Sequence, residues 1–219
     1  MHERLSSISS LLDSGDRLDV LNDQAVELLG DIAGGQLTFA AVRHPLGFIY
    51  APLLRAGSTA LRLHIWLSGA TRPQLTTSPI HDHTWQLTSY VVCGRLENCL
   101  VEIHDSTTPT HRVFEISGAG GADSLRPTER LVEFRVAATQ AVRAGDRYTI
   151  EAGRFHFTEV PEDCTAATIV LASRKASVPE RSLGPLRVPE HEMTREVCPP
   201  TELAAAATVV SGLLGQSVR

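Results

Sequence analysis

The segment SPIHDHTW, residues 78–85, carries the most informative pattern in this chain, and GDRYTIEAGRFH, residues 145–156, complements it. Residues two apart in a β-strand point to the same face, so His81 and His83 can present two imidazoles to one ion. The later segment has a glycine turn, an alternating stretch, a second glycine and then His156. A strand crossing beside the first pair can deliver His156 as a third ligand. The sequence therefore predicts a metal site built from these three histidines.

The stretches around these motifs predict a mainly β structure. Between residue 37 and about residue 175, several short segments are rich in β-branched residues and end at turn residues, which is typical of strands. They are LRLHIWL (61–67), SYVVCGRLENCLVEI (89–103), RVFEI (112–116), RLVEFRV (130–136) and ATIVLAS (167–173). Gly94 predicts a turn or bulge in the second segment, and SGAGGADS (117–124) predicts a hairpin tip. Many short strands in one unit favour a small barrel or sandwich.

Helical patterns flank this β region. Apolar spacing over residues 19–33 predicts a helix that ends at Gly34 and Gly35, and a shorter helix is expected from Leu5 to Leu12. Near the other end, residues 201–214 predict a helix with Thr201 as its N-cap.

The segment before that last helix, residues 178–200, contains five prolines and is expected to run extended over the surface. We therefore divide a single domain into three parts. They are an N-terminal helical segment packing on the barrel (1–36), the barrel itself (37–176), and a Pro-rich tail with a C-terminal helix (177–219).

Composition excludes several classes of function. The chain has 219 residues, 42% of them hydrophobic, which is enough for a sizeable core. A net charge of −5 without a basic run predicts no nucleic-acid or anionic-membrane partner. No apolar stretch approaches a bilayer span, and the N-terminus does not match a signal peptide. The four cysteines form no CxxC pattern, which predicts reduced thiols in a cytoplasmic protein.

The two histidine motifs resemble those of the cupin superfamily. His81-Asp82-His83 followed by Gly94 is similar to the first cupin motif, and Gly145 followed by EAGRFH (151–156) is similar to the second. More narrowly, SPIHDHTW followed by GRLEN resembles the first motif of the cysteine dioxygenase family of thiol dioxygenases. The resemblance covers about residues 37–175.

This resemblance implies a cupin jelly-roll barrel with N-terminal helices and a C-terminal extension ending in a helix. It also implies an oxidoreductase in which His81, His83 and His156 hold Fe(II) as the catalytic metal. Zn, Ni or Mn are alternative metals in the purified protein. The implied partners are O2 and a small-molecule substrate bound directly to the metal.

The chain departs from that family at several positions. The usual cupin glutamate falls at Leu87 or Thr88, which matches a three-histidine site without a carboxylate ligand. The family's cross-link between a cysteine and a late-strand tyrosine is absent, because neither position supplies those residues. The segment Tyr50-Ala51-Pro52 has proline where the family has the arginine that binds the substrate carboxylate. These departures argue against L-cysteine as the substrate.

Other residues are predicted to shape the pocket. Alternation in LRLHIW puts Arg62, His64 and Trp66 on one face, and a matching aromatic residue in the family places that face inside. Arg62 either binds a carboxylate or phosphate in a bidentate way or pairs with a glutamate at the barrel rim. Trp85 and Tyr90 either line the pocket or pack in an aromatic core.

Two further residues, Glu159 and Thr88, are predicted to lie behind the metal ligands. Glu159 either orients an imidazole as a hydrogen-bond acceptor or is an ordinary surface residue.

Three functional hypotheses follow from these patterns. The first is an Fe(II) and O2-dependent dioxygenase of a small anionic substrate, thiol or related. The second is a cupin oxygenase of specialised metabolism that acts on a larger non-thiol substrate. The third is a non-catalytic cupin that binds a metal or ligand. In each case we expect a monomer or homodimer with small-molecule partners.

Overall fold

Two antiparallel sheets form the body of the protein, with helices against the outer face of the larger sheet. The computed structural model describes residues 1–70, 75–119, 122–175 and 179–216. The helices are α1 (His2–Ser14), α2 (Leu18–Ala33) and α3 (Pro200–Gln216). The strands are β1 (Ala41–His44), β2 (Phe48–Ala56), β3 (Thr59–Trp66), β4 (Trp85–Cys93), β5 (Arg95–Asp105), β6 (His111–Ala119), β7 (Ala122–Arg143), β8 (Arg147–Ile150), β9 (His156–Glu159), β10 (Ala166–Arg174), β11 (Glu180–Pro185), β12 (His191–Thr194) and β13 (Glu196–Cys198).

The order of the strands brings distant parts of the chain together. Over the described residues, the larger sheet has the order β13-β1-β2-β3-β10-β4-β8, and the smaller has the order β11-β6-β7-β5-β9, with β12 also paired to β7. The late strand β10 therefore lies between β3 and β4, and β9 joins the opposite sheet beside β5. The two sheets enclose a cavity, described below.

Alternation along β3 separates the core from the cavity. Leu61, Leu63 and Ile65 are buried in the apolar core between the larger sheet and the helices. The alternate residues of the strand, Arg62, His64 and Trp66, lie on its other face and line the cavity. This arrangement follows from the two-residue period of a strand. The neighbouring strand β10 is buried on both faces, which accounts for its continuous apolar run.

The predicted secondary structure is confirmed in most of its elements. The mainly β fold, the N-terminal helices and the C-terminal helix are all present. The long N-terminal helix ends before Gly34, as expected, and the C-terminal helix begins at Pro200, so Thr201 lies in its first turn rather than at its N-cap. The tip of the 117–124 hairpin includes residues 120–121, which lie outside the described residues. No helix in the described ranges is long and apolar enough to cross a membrane.

The Pro-rich tail differs from its prediction. Instead of running over the surface without partners, it forms three strands, β11, β12 and β13, which pair with β6, β7 and β1 respectively. Leu183 and Ser182 of β11 are buried. The tail is therefore part of both sheets. The predicted boundary between residues 176 and 177 lies outside the described residues.

Gly94 makes the tight connection between β4 and β5 that its position in the sequence predicted. Its φ of +78° lies in the left-handed region, and an added Cβ would come within 2.2 Å of the carbonyl oxygen of Thr165. Both the backbone conformation and the space therefore require glycine.

We expect Gly94→Ala to lower the free energy of unfolding by about 2–4 kcal/mol, because strain and a backbone clash add. Gly35→Ala is the matched control, since Gly35 has a φ of +74° and open space where its Cβ would be. In Gly35→Ala the free energy of unfolding should fall by only about 1–2 kcal/mol, which is the cost of a left-handed backbone conformation for a residue with a Cβ. Urea denaturation of both variants measures the difference, and equal losses would contradict the clash.

Candidate metal centre

The two histidine motifs are joined through their backbones. The amide of His81 donates to the carbonyl of His156 at 3.0 Å, and the amide of His156 donates to the carbonyl of His81 at 2.9 Å. The amide of Gly153 donates to the carbonyl of His83 at 2.8 Å. These bonds hold residues 81–83 against the start of β9. Backbone hydrogen bonds therefore bring the two motifs together.

The three imidazoles meet at one point. Ring centroids of His81 and His83 are 4.6 Å apart, those of His81 and His156 are 4.6 Å apart, and those of His83 and His156 are 5.0 Å apart. One nitrogen from each ring can be chosen so that all lie within 4.8 Å of one another. The structure thus brings together the three residues that the sequence predicted as ligands.

Backbone carbonyls orient two of these rings. The Nδ1 atom of His81 lies 2.8 Å from the carbonyl oxygen of Pro79, and the Nδ1 atom of His156 lies 2.9 Å from that of Arg154. Because a carbonyl only accepts, each Nδ1 carries the proton and each Nε2 keeps a lone pair for a metal. Burial lowers the pKa of His156 to about 3 and also lowers the pKa of His81 and His83. The rings are therefore neutral donors at neutral pH.

The spacing of the donor atoms of His81 and His83 fits a shared first-row transition metal. The Nε2 atoms of His81 and His83 are 3.2 Å apart. Two nitrogens bound about 2.1 Å from one ion, at an angle of about 90–109°, lie about 3.0–3.4 Å apart. Three neutral imidazoles suit Fe, Zn, Ni or Mn, and leave coordination positions open for other ligands.

A buried ion pair fixes the residue between the two early histidines. Asp82 is 2% exposed and points away from the imidazoles, as alternation requires. The guanidinium of Arg181 binds its Oδ2 atom through Nε at 2.8 Å and through a second arm, and the amide of Arg181 donates to Oδ1 at 2.8 Å. Arg181 also lies over the ring of Phe155, 5.0 Å from its centroid. The tail strand β11 thereby holds both histidine motifs in register.

The imidazoles open into a cavity of about 460 Å³ between the sheets. Arg62, His64, Trp66 and Trp85 all line it, in agreement with the placement that the sequence predicted for them. The Nε atom of Arg62 and the Nε2 atom of His64 are buried with no hydrogen-bond partner in the described part of the chain. Burial lowers the pKa of His64 to about 3, so its ring is neutral.

Tyr90 and Thr88 correct the predicted orientation of β4. The cavity is lined by Leu87 and Ser89, whereas the Tyr90 hydroxyl donates to Asn22 of α2 at 3.1 Å, on the opposite face. Thr88 shares that outer face by alternation, and its hydroxyl lies 3.5 Å from that of Thr149. Neither residue reaches the imidazoles. Leu87 is thus the inward residue at the position where a cupin glutamate was expected.

Glu159 also differs from its prediction. The atom that it was expected to orient, Nδ1 of His156, is bound to the backbone carbonyl of Arg154. Glu159 itself is exposed at the end of β9, at the edge of the cavity.

Several cavity residues were not predicted from the sequence, among them His44, Glu180 and Arg195. The ring of His44 stacks on that of Phe48, with 4.4 Å between the ring centroids. Glu180 and Arg195 belong to the Pro-rich tail. The prolines of the tail make its short strands difficult to predict from sequence, and these strands are what place the two residues at the cavity. No local pattern marks Glu180, because Glu180, Arg181 and Ser182 are consecutive polar residues that do not alternate with apolar ones.

Comparisons with known proteins give limited information. No protein-family model and no curated protein matches the chain. A chain from crystal structures of the DMSP lyases RdDddP and RnDddQII is similar at 17% identity and a TM-score of 0.36, over 60% of this chain and 49% of that one. This chain therefore spans about half the length of that neighbour.

Two other solved structures have similar scores. The polyketide cyclase RemF from Streptomyces resistomycificus has 16% identity and a TM-score of 0.39, over 69% of this chain and 81% of that one. An RmlC-like cupin from Shewanella frigidimarina has 15% identity and a TM-score of 0.38, over 65% of this chain and 89% of that one. At this level of similarity, none of them establishes the family or the activity of this chain.

We expect His83→Ala to reduce metal content from one ion per chain to below about a tenth, because two imidazoles alone bind a divalent ion weakly. The measurement is elemental analysis after anaerobic reconstitution with Fe(II) or Zn(II) and desalting. His104→Ala is the control, since His104 is exposed on β5. Full metal content in His83→Ala would contradict the assignment of the site.

We expect Asp82→Ala to lower the free energy of unfolding by about 2–3 kcal/mol and to weaken metal binding. The loss is below that of a fully buried pair because the side chain of Arg181 is 30% exposed. Asp105→Ala, which removes an exposed partner of Arg130, should cost less than about 1 kcal/mol. Thermal or urea unfolding and a metal titration measure the two effects.

Proposed function

We propose that this protein is a mononuclear, cupin-type Fe(II) dioxygenase that acts on an anionic small molecule. The observation that carries the proposal is the convergence of His81, His83 and His156 on the wall of a cavity between the two sheets. The cupin resemblance of the two motifs supports the same chemistry. Bound Fe(II) would supply the site at which O2 and substrate react, and both oxygen atoms would enter the product, so no external reductant is needed.

The residues around the centre support specific roles. The three imidazoles are neutral, so the site keeps the full charge of its metal and favours an anionic substrate. Arg62 has guanidinium donors for an acidic group of that substrate. The aromatic wall formed by Trp66 and Trp85, with other rings, excludes water from the reacting groups. The unpartnered Nε2 of His64 offers one further hydrogen bond to the bound molecule.

A thiol substrate is the first candidate, as the resemblance to thiol dioxygenases implies. Arg62 compensates for the lost family arginine, because it pairs directly across the sheet with Pro52, which occupies that position. A second candidate is an oxygenase of a larger, non-thiol substrate. The cavity volume of about 460 Å³ favours it, because pockets of about 300–1,000 Å³ enclose drug-sized ligands.

Oxygen consumption tests the proposal. We expect protein reconstituted anaerobically with Fe(II) to consume O2 when an acidic substrate is added, with one O2 used per product formed. A panel of thiol acids and non-thiol acids, followed with an oxygen electrode and mass spectrometry, covers both candidates. His83→Ala should abolish uptake, and His104→Ala should retain it.

The products separate the alternatives. A sulfinate identifies the thiol reaction, whereas an oxygenated product without sulfur chemistry identifies the second candidate. Undiminished uptake in His83→Ala would overturn the metal assignment. A protein that retains metal but consumes no O2 with any member of the panel would be a metal-binding or ligand-binding protein, and the proposed activity would be rejected.

A further inference from the structure

One wall of the cavity is made almost entirely of rings. The rings of Phe48 and His64 are 4.6 Å apart, and those of Phe48 and Trp66 are 4.9 Å apart. Tyr50 and His44 extend the wall, with Tyr50 lying 5.7 Å from His64. Strands β2 and β3 supply this surface side by side. The ring of Phe48 is tilted by 35° to that of His64 and by 44° to that of Trp66, so together these rings offer a polarisable, faceted surface that another ring can contact.

Arg62 lies beside this wall as a cation without a hydrogen-bonded anion. Its guanidinium carbon lies 5.7 Å from the ring centroid of Tyr50 and 5.2 Å from that of Trp85. These rings contact the guanidinium through its face and leave its N–H donors free, and Nε has no partner in the described residues. A buried guanidinium with unused donors is costly unless an anion binds it.

The other charges near the cavity are occupied differently. Arg195 is bound by Asp123 through Nε at 2.7 Å. Glu180 accepts from the hydroxyl of Thr84 at 3.5 Å and from the indole of Trp85, and it acts on Arg62 only through longer-range charge. Burial raises the pKa of Glu180, and the charge of Arg62 opposes that shift. Arg55 also lines the cavity but is exposed near the end of β2, so Arg62 is the more enclosed of the two cavity-lining cations for which the described residues show no ion pair.

We propose that the cavity binds an aromatic carboxylic acid as its anion, with the ring against the aromatic wall and the carboxylate on the fork of Arg62. This proposal rests on the proposed function, because the ligand would be the substrate presented to the three-histidine centre. It narrows the substrate from any small anion to an aromatic acid.

Other ligand classes fit the same surfaces less well. A short aliphatic thiol acid would leave the ring wall without a partner and most of a cavity of about 460 Å³ filled with water. An aromatic cation could stack on the wall, but it would face Arg62 and the metal as like charges. A neutral aromatic compound would leave the guanidinium donors unused.

The tryptophans of the chain can report ligand binding in this test. Both of them, Trp66 and Trp85, line the cavity, so intrinsic fluorescence reports occupancy. The probe is 3-phenylpropionate, titrated anaerobically into the metal-loaded protein, with calorimetry as a second readout. The comparison ligands are 3-phenylpropanamide, which lacks the charge, and hexanoate, which lacks the ring. We expect 3-phenylpropionate to bind at least about 10-fold more tightly than either, because a charge-assisted hydrogen bond and ring stacking are each lost.

Substitutions at Arg62 separate the two parts of the recognition. Arg62→Met should weaken the binding of 3-phenylpropionate about 10–100-fold and should change the affinity for 3-phenylpropanamide little. Arg62→Lys should give an intermediate loss of affinity for 3-phenylpropionate, because lysine keeps the charge but lacks the two-armed guanidinium. Phe48→Leu should reduce the preference for 3-phenylpropionate over hexanoate. Arg126→Met is the matched control, because Arg126 pairs with Glu115 on the exposed surface. Circular dichroism confirms that each variant is folded.

Equal affinities for 3-phenylpropionate and hexanoate, or a folded Arg62→Met that binds 3-phenylpropionate as wild type does, would overturn this inference. These binding results do not depend on turnover. Oxygen uptake with a thiol acid but no binding of aromatic acids would reject the inference and leave the proposed function standing. Tight binding of 3-phenylpropionate by a protein that never consumes O2 would support the inference and reject the proposed function.

Discussion

The reciprocal backbone hydrogen bonds between His81 and His156 are the constraint on which the candidate site depends. They join a segment that precedes β4 to the first residue of β9, and so to the smaller sheet, across more than seventy residues of chain. Because main-chain groups make these bonds, the side chains do not have to attract one another in order to converge. Three neutral imidazoles with inward lone pairs repel one another, and the backbone supplies the force that holds them until an ion occupies their centre.

Two half-buried arginines, Arg181 and Arg62, differ in whether the protein itself satisfies their guanidinium groups. The guanidinium of Arg181 is satisfied by a buried carboxylate and by the face of Phe155, and it orients the segment that carries the early histidines. Arg62 is surrounded by rings that contact its face and do not use its donors. The ion pair of Arg181 stabilises one arrangement of strands. The guanidinium of Arg62 keeps donors that can still bind an anionic ligand. Arg62 lies on the wall of the cavity, where a ligand can reach it.

Sequence periodicity was sufficient for much of this structure. The apolar spacing of α2, the strand character of the central segments and the shared face of Arg62 and His64 all reflect local repeats, which one sequence displays directly. Periodicity could not determine which of Leu87 and Thr88 faces inward, because a shift of one residue reverses every side chain of a strand. It is the partners on either side of β4 that select the register.

The tail was less predictable, for a different physical reason. Its strands are short and bounded by prolines, so their local preference is weak, and they exist because β6, β7 and β1 have edges to pair with. A similar limit explains why the sequence left two roles open for Glu159, whereas the backbone carbonyl of Arg154 is what binds Nδ1 of His156. A carbonyl acceptor is available at every residue, and no side-chain pattern reveals which one a ring will use.

The position of β11 in the chain has a consequence for the order in which the protein matures. A polypeptide leaves the ribosome from its N-terminus, and the residues that flank His81 and neutralise Asp82 are encoded almost a hundred positions after them. While the nascent chain is still being extended, Asp82 has no guanidinium beside it and the early histidines have one strand neighbour instead of two. The surroundings of the candidate centre are therefore completed only after β11 has been synthesised.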